Sequence, residues 1–118
     1  MDIQRGDIVT CSMKGDYGKP RPAVVVKSDF FNPTHSSVVV CPLTTHKVAT
    51  PIFRLDLPTN EKNGVKQPSQ IMIDKMMAIP RSKIGKQIGK ISVSQQDSIN
   101  KALKIWLGLL DNQALANC

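Results

Sequence analysis

The sequence has few aromatic residues and few cysteines, and each shortage excludes a class of protein. Its 118 residues include three Phe, one Tyr and one Trp, too few for the stacking platform of an RNA-recognition-motif protein. The cysteines Cys11, Cys41 and Cys118 are odd in number and have no Cys-x-x-Cys spacing. That pattern supports neither a disulfide framework nor a zinc site, so we expect a protein of the reducing cytoplasm.

Long apolar runs and familiar catalytic signatures are also missing. No stretch approaches the roughly 18 to 20 apolar residues of a membrane span, and residues 1–6 do not resemble the start of a signal peptide. The chain has no phosphate-binding glycine loop, no Gly-x-Ser-x-Gly elbow, no dinucleotide fingerprint and no cluster of His and carboxylate ligands. We therefore expect no membrane contact and a chemistry without a metal or cofactor.

Positive charge is present in excess. The formal net charge is +7, and a basic protein suits a polyanionic partner. Scattered lysines can also serve only to keep a small protein soluble, so the charge alone does not decide. In the second half of the chain the lysines recur at Lys62, Lys66, Lys75, Lys83, Lys86 and Lys90.

Short runs rich in Val and Ile recur along a chain whose length fits one domain, residues 1–118. The spacing favours a compact β-barrel or a strongly bent sheet. Residues 23–26 and 38–41 are continuously apolar, as in central strands covered on both faces. Between them, residues 28–33 allow one helical turn, with Phe30 and Phe31 expected to fill the core. The predicted strands are residues 7–11, 22–26, 37–41, 52–55 and 69–74.

One helix is predicted near the C-terminus. Residues 94–97, SQQD, have the form of a capping box, and the helix is expected to run to about Leu110. Ile99, Leu103, Trp106 and Leu110 then line one face. We expect this face to pack on the sheet and to leave apolar surface for a second subunit, full burial in a monomer being the alternative.

Two segments place reactive side chains at strand ends. Arg21 lies between Pro20 and Pro22, which favour extended backbone, so its guanidinium leaves a stiff chain at the entrance to a buried strand. A planar group that is always protonated suits phosphate. Thr44 closes the next apolar strand with a hydroxyl group. Together the two segments predict a cleft that binds phosphate.

The same segments carry a resemblance to a known family. Residues 5–9 (RGDIV), 21–26 (RPAVVV) and 42–44 (PLT) are similar, in order and spacing, to the MazF/PemK toxins of bacterial toxin-antitoxin pairs. Weaker similarity continues through residues 69–74 and the terminal helix. The resemblance implies a fold that is mainly β with α, a compact SH3-like barrel of the CcdB/MazF type with a C-terminal helix. It also implies a metal-independent endoribonuclease.

Cleavage of RNA fits a site without a cofactor. The reaction needs a base for the 2'-hydroxyl proton, a cation for the phosphorane and an acid for the departing 5'-oxygen. The resemblance implies that Arg21 is the cation and that Thr44 binds the scissile phosphate. A structural salt bridge for Arg21 and an ordinary strand or turn hydroxyl for Thr44 are the alternatives. Thr45 is the equivalent residue if the register differs by one.

Asp74 is the third catalytic candidate. It matches an acidic residue that some family members use in acid-base work beside an arginine two residues earlier. Here that earlier position is Met72, and Lys75 stands where the family often has Gln, so the set does not transfer whole, and Arg21 or Lys75 would have to compensate. A salt-bridged carboxylate is the alternative for Asp74. His46 is a second candidate for proton transfer, because histidine can exchange protons near neutral pH.

The resemblance also implies partners. These are a single-stranded messenger RNA cut at a short sequence, a second copy of the chain, and a MazE/PemI-like antitoxin whose acidic, disordered tail competes with RNA for one groove. DNA would be contacted only through the antitoxin. Further RNA contacts are expected from Lys19, Thr45, His46, Lys75 and Arg81.

Two other functions remain open. A gyrase-poisoning toxin of the CcdB type has the same fold and ends on a Trp-Gly pair, whereas this chain has Trp106, Leu107 and Gly108 followed by ten more residues. A basic barrel that binds nucleic acid without cutting it is the second alternative. Met72 and Lys75, where the chain departs from the family, keep it open.

Overall fold

An antiparallel sheet and one helix make up the described part of the chain. The structure is a computed structural model that describes residues 2–12, 19–50 and 52–109. Within these ranges the strand order is β4-β5-β3-β2-β1-β7, and β6 pairs with β3. The strands are β1 (Asp7–Cys11), β2 (Arg21–Val25), β3 (Ser37–Thr44), β4 (Arg54–Leu57), β5 (Ser69–Met72), β6 (Met77–Pro80) and β7 (Ile84–Lys90), and the helix is α1 (Val93–Trp106).

Strand β3 changes partner along its length. Residues 37–40 pair with β6, whereas Leu43 and Thr44 pair with β5. Pro42 lies between the two regions, where its missing N–H removes one ladder donor. On its other side β3 pairs with β2. The change of partner brings the end of β3 between β2 and β5.

The central strands bury side chains on both faces, as their continuous apolar runs predicted. Val24 and Cys41 belong to a cluster that packs under α1 with Ile99. Val25 and Val40 belong to a second cluster on the opposite face of the sheet. Full burial of such a side chain contributes roughly 1.5 to 3 kcal/mol. Burial in this setting also raises the pKa of the Cys41 thiol to about 12.

Several predicted boundaries differ from the structure. Strand β1 matches its prediction and β2 is shifted by one residue. Strand β3 continues beyond the apolar run that ends at Cys41 and ends at Thr44, the residue expected to close it. Strand β4 begins at Arg54, two residues later than predicted, and β5 ends at Met72. Asp74 therefore lies in a 3₁₀ turn, Ile73–Lys75, and not on a strand. Strands β6 and β7 were not predicted.

The N-cap of the helix lies two residues before the predicted one. Ser92 is the N-cap, since its Oγ accepts a hydrogen bond from the Gln95 N–H at 3.1 Å and its own N–H donates to Gln95 Oε1 at 3.0 Å. The box predicted at residues 94–97 is wrong, because Ser94 already lies inside the helix. The helix ends at Trp106, short of the predicted end at about Leu110, because Leu107 is the C-cap and Gly108 has a φ of +74°. Leu110 itself lies outside the described residues.

The turn between β2 and β3 does not fill the core with phenylalanine as predicted. Phe30 is 82% exposed and Phe31 51% exposed, and their rings form an edge-to-face pair. Asn32 is the buried residue instead, and its Nδ2 donates to the Lys27 carbonyl at 3.3 Å and to Asp29 Oδ1 at 3.2 Å. Hydrogen bonds of an amide, rather than aromatic packing, therefore hold this turn.

Candidate active site

A pocket of about 300 Å³ opens where β2 begins and β3 ends. Arg21 is the first residue of β2 and Thr44 the last of β3. Because the two strands are antiparallel neighbours, these ends lie side by side. The structure thus brings the predicted residues Arg21, Thr44 and Thr45 into one pocket. Its walls are Arg21, Pro22, Pro42, Leu43, Thr44, Thr45, Ser69 and Met72.

The turn after Thr44 is held by side-chain hydrogen bonds. Thr44 Oγ1 accepts a bond from the His46 N–H at 3.1 Å, and a hydroxyl retains a proton to donate elsewhere. Gln70, which is 5% exposed, binds the following segment in both directions. Its Oε1 accepts from the Val48 N–H and its Nε2 donates to the Val48 carbonyl, each at 3.0 Å. These bonds position the threonine side of the pocket.

Arg21 leaves the backbone from an exposed position flanked by two prolines. Its carbonyl accepts a long hydrogen bond from the Cys11 thiol at 3.6 Å, across the β1–β2 pair. The guanidinium keeps its positive charge at any pH a protein tolerates. Lys19 and His46, also exposed, lie two residues from Arg21 and Thr44 without lining the pocket.

Asp74 forms an ion pair with Arg54, a residue that the sequence analysis missed. Arg54 Nε lies 2.6 Å from Asp74 Oδ1 and Nη2 lies 3.0 Å from Oδ2, and both side chains are mostly buried. The hydrogen bond to Arg54 lowers the pKa of the Asp74 carboxyl, partly opposed by burial. The ion pair therefore favours the ionised carboxylate, which cannot donate a proton and has a reduced affinity for one. It does not line the pocket, although Met72, two residues earlier, does.

Arg54 reaches Asp74 because of strand pairing. In the β4–β5 register Arg54 lies opposite Met72, the position at which some MazF/PemK toxins are expected to have an arginine. A neighbouring strand thus places a guanidinium beside Asp74, but neither side chain of the pair lines the pocket. Lys75, the last residue of the 3₁₀ turn, is exposed and does not line the pocket.

Arg81 lies far from the pocket. Its Nε donates to the His35 carbonyl at 3.2 Å, and its Nη2 donates to the Asn32 carbonyl. It follows β6, which pairs with the start of β3. Ser37 and Thr44 are the two ends of β3, roughly 23 Å apart at about 3.3 Å per residue. The structure therefore does not bring Arg81 together with the other predicted RNA-binding residues.

A second pocket, of about 540 Å³, adjoins the first. The two share Pro22, Thr45 and Ser69, so they form one continuous depression. Lys66 and Lys86 line the second pocket, and the sequence analysis had counted them only as surface charge. The other residues lining it are Thr10, Pro20, Gly64, Val65, Gln67 and Ile88.

Comparison with known proteins decides the family. Residues 4–107 match the profile of the PemK-like, MazF-like toxins of type II toxin-antitoxin systems. The chain belongs to this family. It is 34% identical over 108 residues to the probable endoribonuclease MazF of Mycolicibacterium smegmatis, covering 91% of this chain and 98% of that protein. It is 31% identical over 87 residues to endoribonuclease MazF3 of Mycobacterium tuberculosis, covering 72% and 80%.

Solved structures of MazF toxins have the same fold. The Mycobacterium tuberculosis toxin MazF-mt6 superposes with a TM-score of 0.75 at 27% identity, over 89% of this chain and 98% of that one. A mycobacterial endoribonuclease in complex with its cognate antitoxin gives 0.77 at 20%, over 92% and 98%. The MazE-MazF complex of Deinococcus radiodurans gives 0.76 at 22%, over 92% and 98%. The predicted family, and its mainly β fold with a C-terminal helix, are confirmed.

The predicted enzyme class, endoribonuclease, is the one for which the curated MazF relatives are named. Within residues 2–12, 19–50 and 52–109, no helix combines the length and the apolar character needed to cross a bilayer.

Proposed function

We propose that this protein is a toxin that cleaves single-stranded RNA at a short sequence, without a metal ion. The observation that carries the proposal is the shared pocket of Arg21 and Thr44, at the ends of two neighbouring strands, in a member of the MazF-like family. A fixed cation beside a hydroxyl suits a phosphodiester. The relatives named as endoribonucleases support the same activity.

In the proposed reaction the substrate supplies its own nucleophile. A base takes the proton of the 2'-hydroxyl group, the 2'-oxygen attacks the adjacent phosphorus, and the bond from phosphorus to the 5'-oxygen breaks. The departing 5'-oxygen takes up a proton from water or from the protonated base, so the products carry a 2',3'-cyclic phosphate and a 5'-hydroxyl. Arg21 stabilises the charge that develops on the phosphorane oxygens, and the Thr44 hydroxyl donates to one of them. Removing such a donor typically costs a factor of about 10² to 10³ in rate.

Two side chains are candidates for the base. Asp74 is kept ionised by Arg54, which leaves its carboxylate free of a proton, but the same hydrogen bond lowers the pKa of the carboxyl and so weakens it as a base. His46 follows Thr44 and shares its turn. The pH dependence of cleavage separates them, because replacing the true base, as in Asp74→Asn or His46→Gln, removes the limb of the pH–rate profile that the base controls.

The proposed partners are an antitoxin and a second copy of the chain. The related solved structures include toxins in complex with an antitoxin, and a net charge of +7 favours an acidic, flexible antitoxin tail of the MazE/PemI type. Trp106, Leu107 and Leu109 are 45%, 53% and 70% exposed, an apolar surface that supports pairing of two copies. We propose that DNA is contacted only through the antitoxin and that the protein acts in the cytoplasm.

The test is to incubate the purified protein with a long single-stranded RNA in a chelator and to map the fragment ends. We expect discrete cuts with 2',3'-cyclic phosphate and 5'-hydroxyl ends, and none at a site made 2'-deoxy. Arg21→Ala should lose the cuts, whereas Lys101→Ala, an exposed change on α1, should retain them. Intact RNA, or cleavage of the 2'-deoxy site, would overturn the proposal and make a gyrase assay the next step.

A further inference from the structure

The larger of the two adjoining pockets lies beside the candidate active site and has the chemistry of a binding site. Its volume of about 540 Å³ falls within the range of roughly 300 to 1,000 Å³ typical of ligand sites. Pro22, Thr45 and Ser69 form the boundary it shares with the pocket of Arg21 and Thr44. The second pocket is therefore directly beside the pocket that contains Arg21.

Two irregularities in β7 shape one wall of this pocket. Ile8 and Val9 are consecutive in β1, but their partners in β7 are residues 89 and 87, so Ile88 is an extra residue in β7. A second extra residue lies within residues 85–86, because these two residues of β7 stand opposite the single residue Thr10 of β1. Such bulges bend a strand and redirect its side chains. Lys86 and Ile88 both line the pocket, so the irregular stretch of the strand is the part that faces it.

The bulge at Lys86 is held by a specific contact. Its N–H donates to Thr10 Oγ1 at 3.0 Å, a side-chain acceptor in place of a ladder carbonyl. Gly85 permits this approach, since a Cβ on Gly85 would lie 2.4 Å from the same oxygen. Thr10 itself lines the pocket. The position of Lys86 is therefore built into the β1–β7 pairing.

A second part of the lining comes from the turn that precedes β5. Gly64 has a φ of +67°, and a Cβ there would lie 2.1 Å from the Ile88 carbonyl oxygen, so glycine lets the turn close onto β7. Asn63 is fully buried, and its Oδ1 accepts from the Val65 N–H at 2.9 Å. This arrangement sets Val65, Lys66 and Gln67 along the pocket.

We propose that this pocket receives the base of a nucleotide next to the cleaved bond, and so selects one position of the cleavage sequence; the inference rests on the proposed function. Val65 and Ile88 supply apolar contact for the faces of the base. Gln67 offers both a donor and an acceptor to its edge, the way single-stranded RNA is read. Lys66 and Lys86 bind the flanking phosphates.

The charge component is tested by the double variant Lys66→Gln, Lys86→Gln. Its matched control is Lys101→Gln, Lys104→Gln on α1, which removes the same charge away from the pocket. Loss of two phosphate contacts to a single strand should reduce the slope of log affinity against log salt by about 1.4. The control should leave that slope nearly unchanged. Equal slopes for the two double variants would overturn the assignment of the lysines.

The role of Gln67 in recognising the base is tested by mapping the sites at which the Gln67→Ala variant cuts an RNA of randomised sequence. We expect the base preference at one position beside the cut to relax, while cutting still depends on Arg21. An unchanged preference at every position overturns the role of Gln67.

A binding measurement separates this inference from the activity. RNA carrying a photoreactive base is crosslinked to the Arg21→Ala protein, and the modified peptide is identified by mass spectrometry. A crosslink in residues 64–67 or 86–88 supports binding of a base in the pocket. If the wild type cuts no RNA, the endoribonuclease proposal and the role of the pocket in selecting the cleavage sequence fail, and binding of a base alone stands. Crosslinks confined to other segments, beside an active wild type, overturn the pocket and leave the activity intact.

Discussion

At the scale of single residues, the pair of Arg54 and Asp74 is the clearest case of one side chain fixing the state of another. The hydrogen bond from Arg54 lowers the pKa of Asp74 in the folded protein. Because the folded pKa is lowered, the pair stabilises the fold above the unfolded pKa of about 3.9. That stabilisation is lost as the pH falls through the folded pKa.

We predict that Asp74→Asn lowers the free energy of unfolding by about 1 to 3 kcal/mol at pH 7, the usual contribution of hydrogen bonds to charged groups. The difference from wild type should shrink in acid, because the stabilisation falls as the unfolded carboxyl takes up a proton below its pKa of about 3.9. Urea denaturation at pH 7 and pH 3 measures both values, with the exposed Asp97→Asn as control. A deficit of equal size at both pH values would contradict the role of the ion pair.

Residues at the ends of local apolar runs could be predicted from the sequence, whereas residues that reach the site through pairing of distant strands could not. Arg21 and Thr44 stand at the ends of apolar runs, so their place at the mouth of a cleft could be predicted. Arg54 and Lys86 reach their positions through the β4–β5 and β1–β7 registers. The register between distant strands cannot be derived from periodicity along the chain. In addition, β4 begins at Arg54, two residues later than its predicted start.

At the scale of elements, the start of α1 offers a direct comparison of two serines. Ser92 caps the helix through Gln95, whereas Ser94 lies in its first turn. We predict that Ser92→Ala costs about 1 kcal/mol of stability, the usual value of an N-cap. Ser94→Ala should stay within about 0.5 kcal/mol of wild type. Thermal and urea unfolding of both variants measure the difference, and a larger loss for Ser94→Ala would contradict the assigned cap.

The bulge in β7 is a second element whose geometry can be tested. We predict that Gly85→Ala destabilises the protein by about 1 to 3 kcal/mol, because its new Cβ would collide with Thr10 Oγ1. In a Thr10→Ala background, where that oxygen is gone, the same change should cost less. A double-mutant cycle by urea denaturation measures this coupling. Independent, additive effects would show that the contact does not shape the bulge.

The predictability of the elements follows from their composition. Strands β1, β2 and β3 are Val-rich and buried, so their apolar runs marked them. Strand β7, IGKQIGK, contains Gly, Lys and Gln and buries no side chain fully, a composition depleted in strands. Pairing with β1 makes it a strand. Tertiary context therefore decided the elements that the sequence did not reveal.

At the scale of the whole molecule, exposed apolar side chains at the end of α1 bear on the oligomeric state. Leu107 and Leu109 follow the helix and are more than half exposed. We predict a dimer in solution that Leu107→Lys with Leu109→Lys shifts toward monomer. Phe30→Lys, a charge placed on a different exposed apolar side chain, should leave the dimer intact. Sedimentation velocity measures all three, and an unshifted double variant would place the contact elsewhere.

The central claim is that Arg21 and Thr44 act on one phosphate in the pocket between β2 and β3. The most direct measurement is the single-turnover rate of RNA cleavage in chelator for wild type, Arg21→Ala, Thr44→Ala and the double variant. Thr59→Ala serves as the control, since Thr59 is exposed and outside both pockets. We predict a loss of about 10² or more for each single variant. The rate of the double variant should be only slightly lower than that of the less active single variant, as expected for residues that act as a unit. Rates within a few-fold of wild type, in variants that unfold like wild type, would contradict the claim.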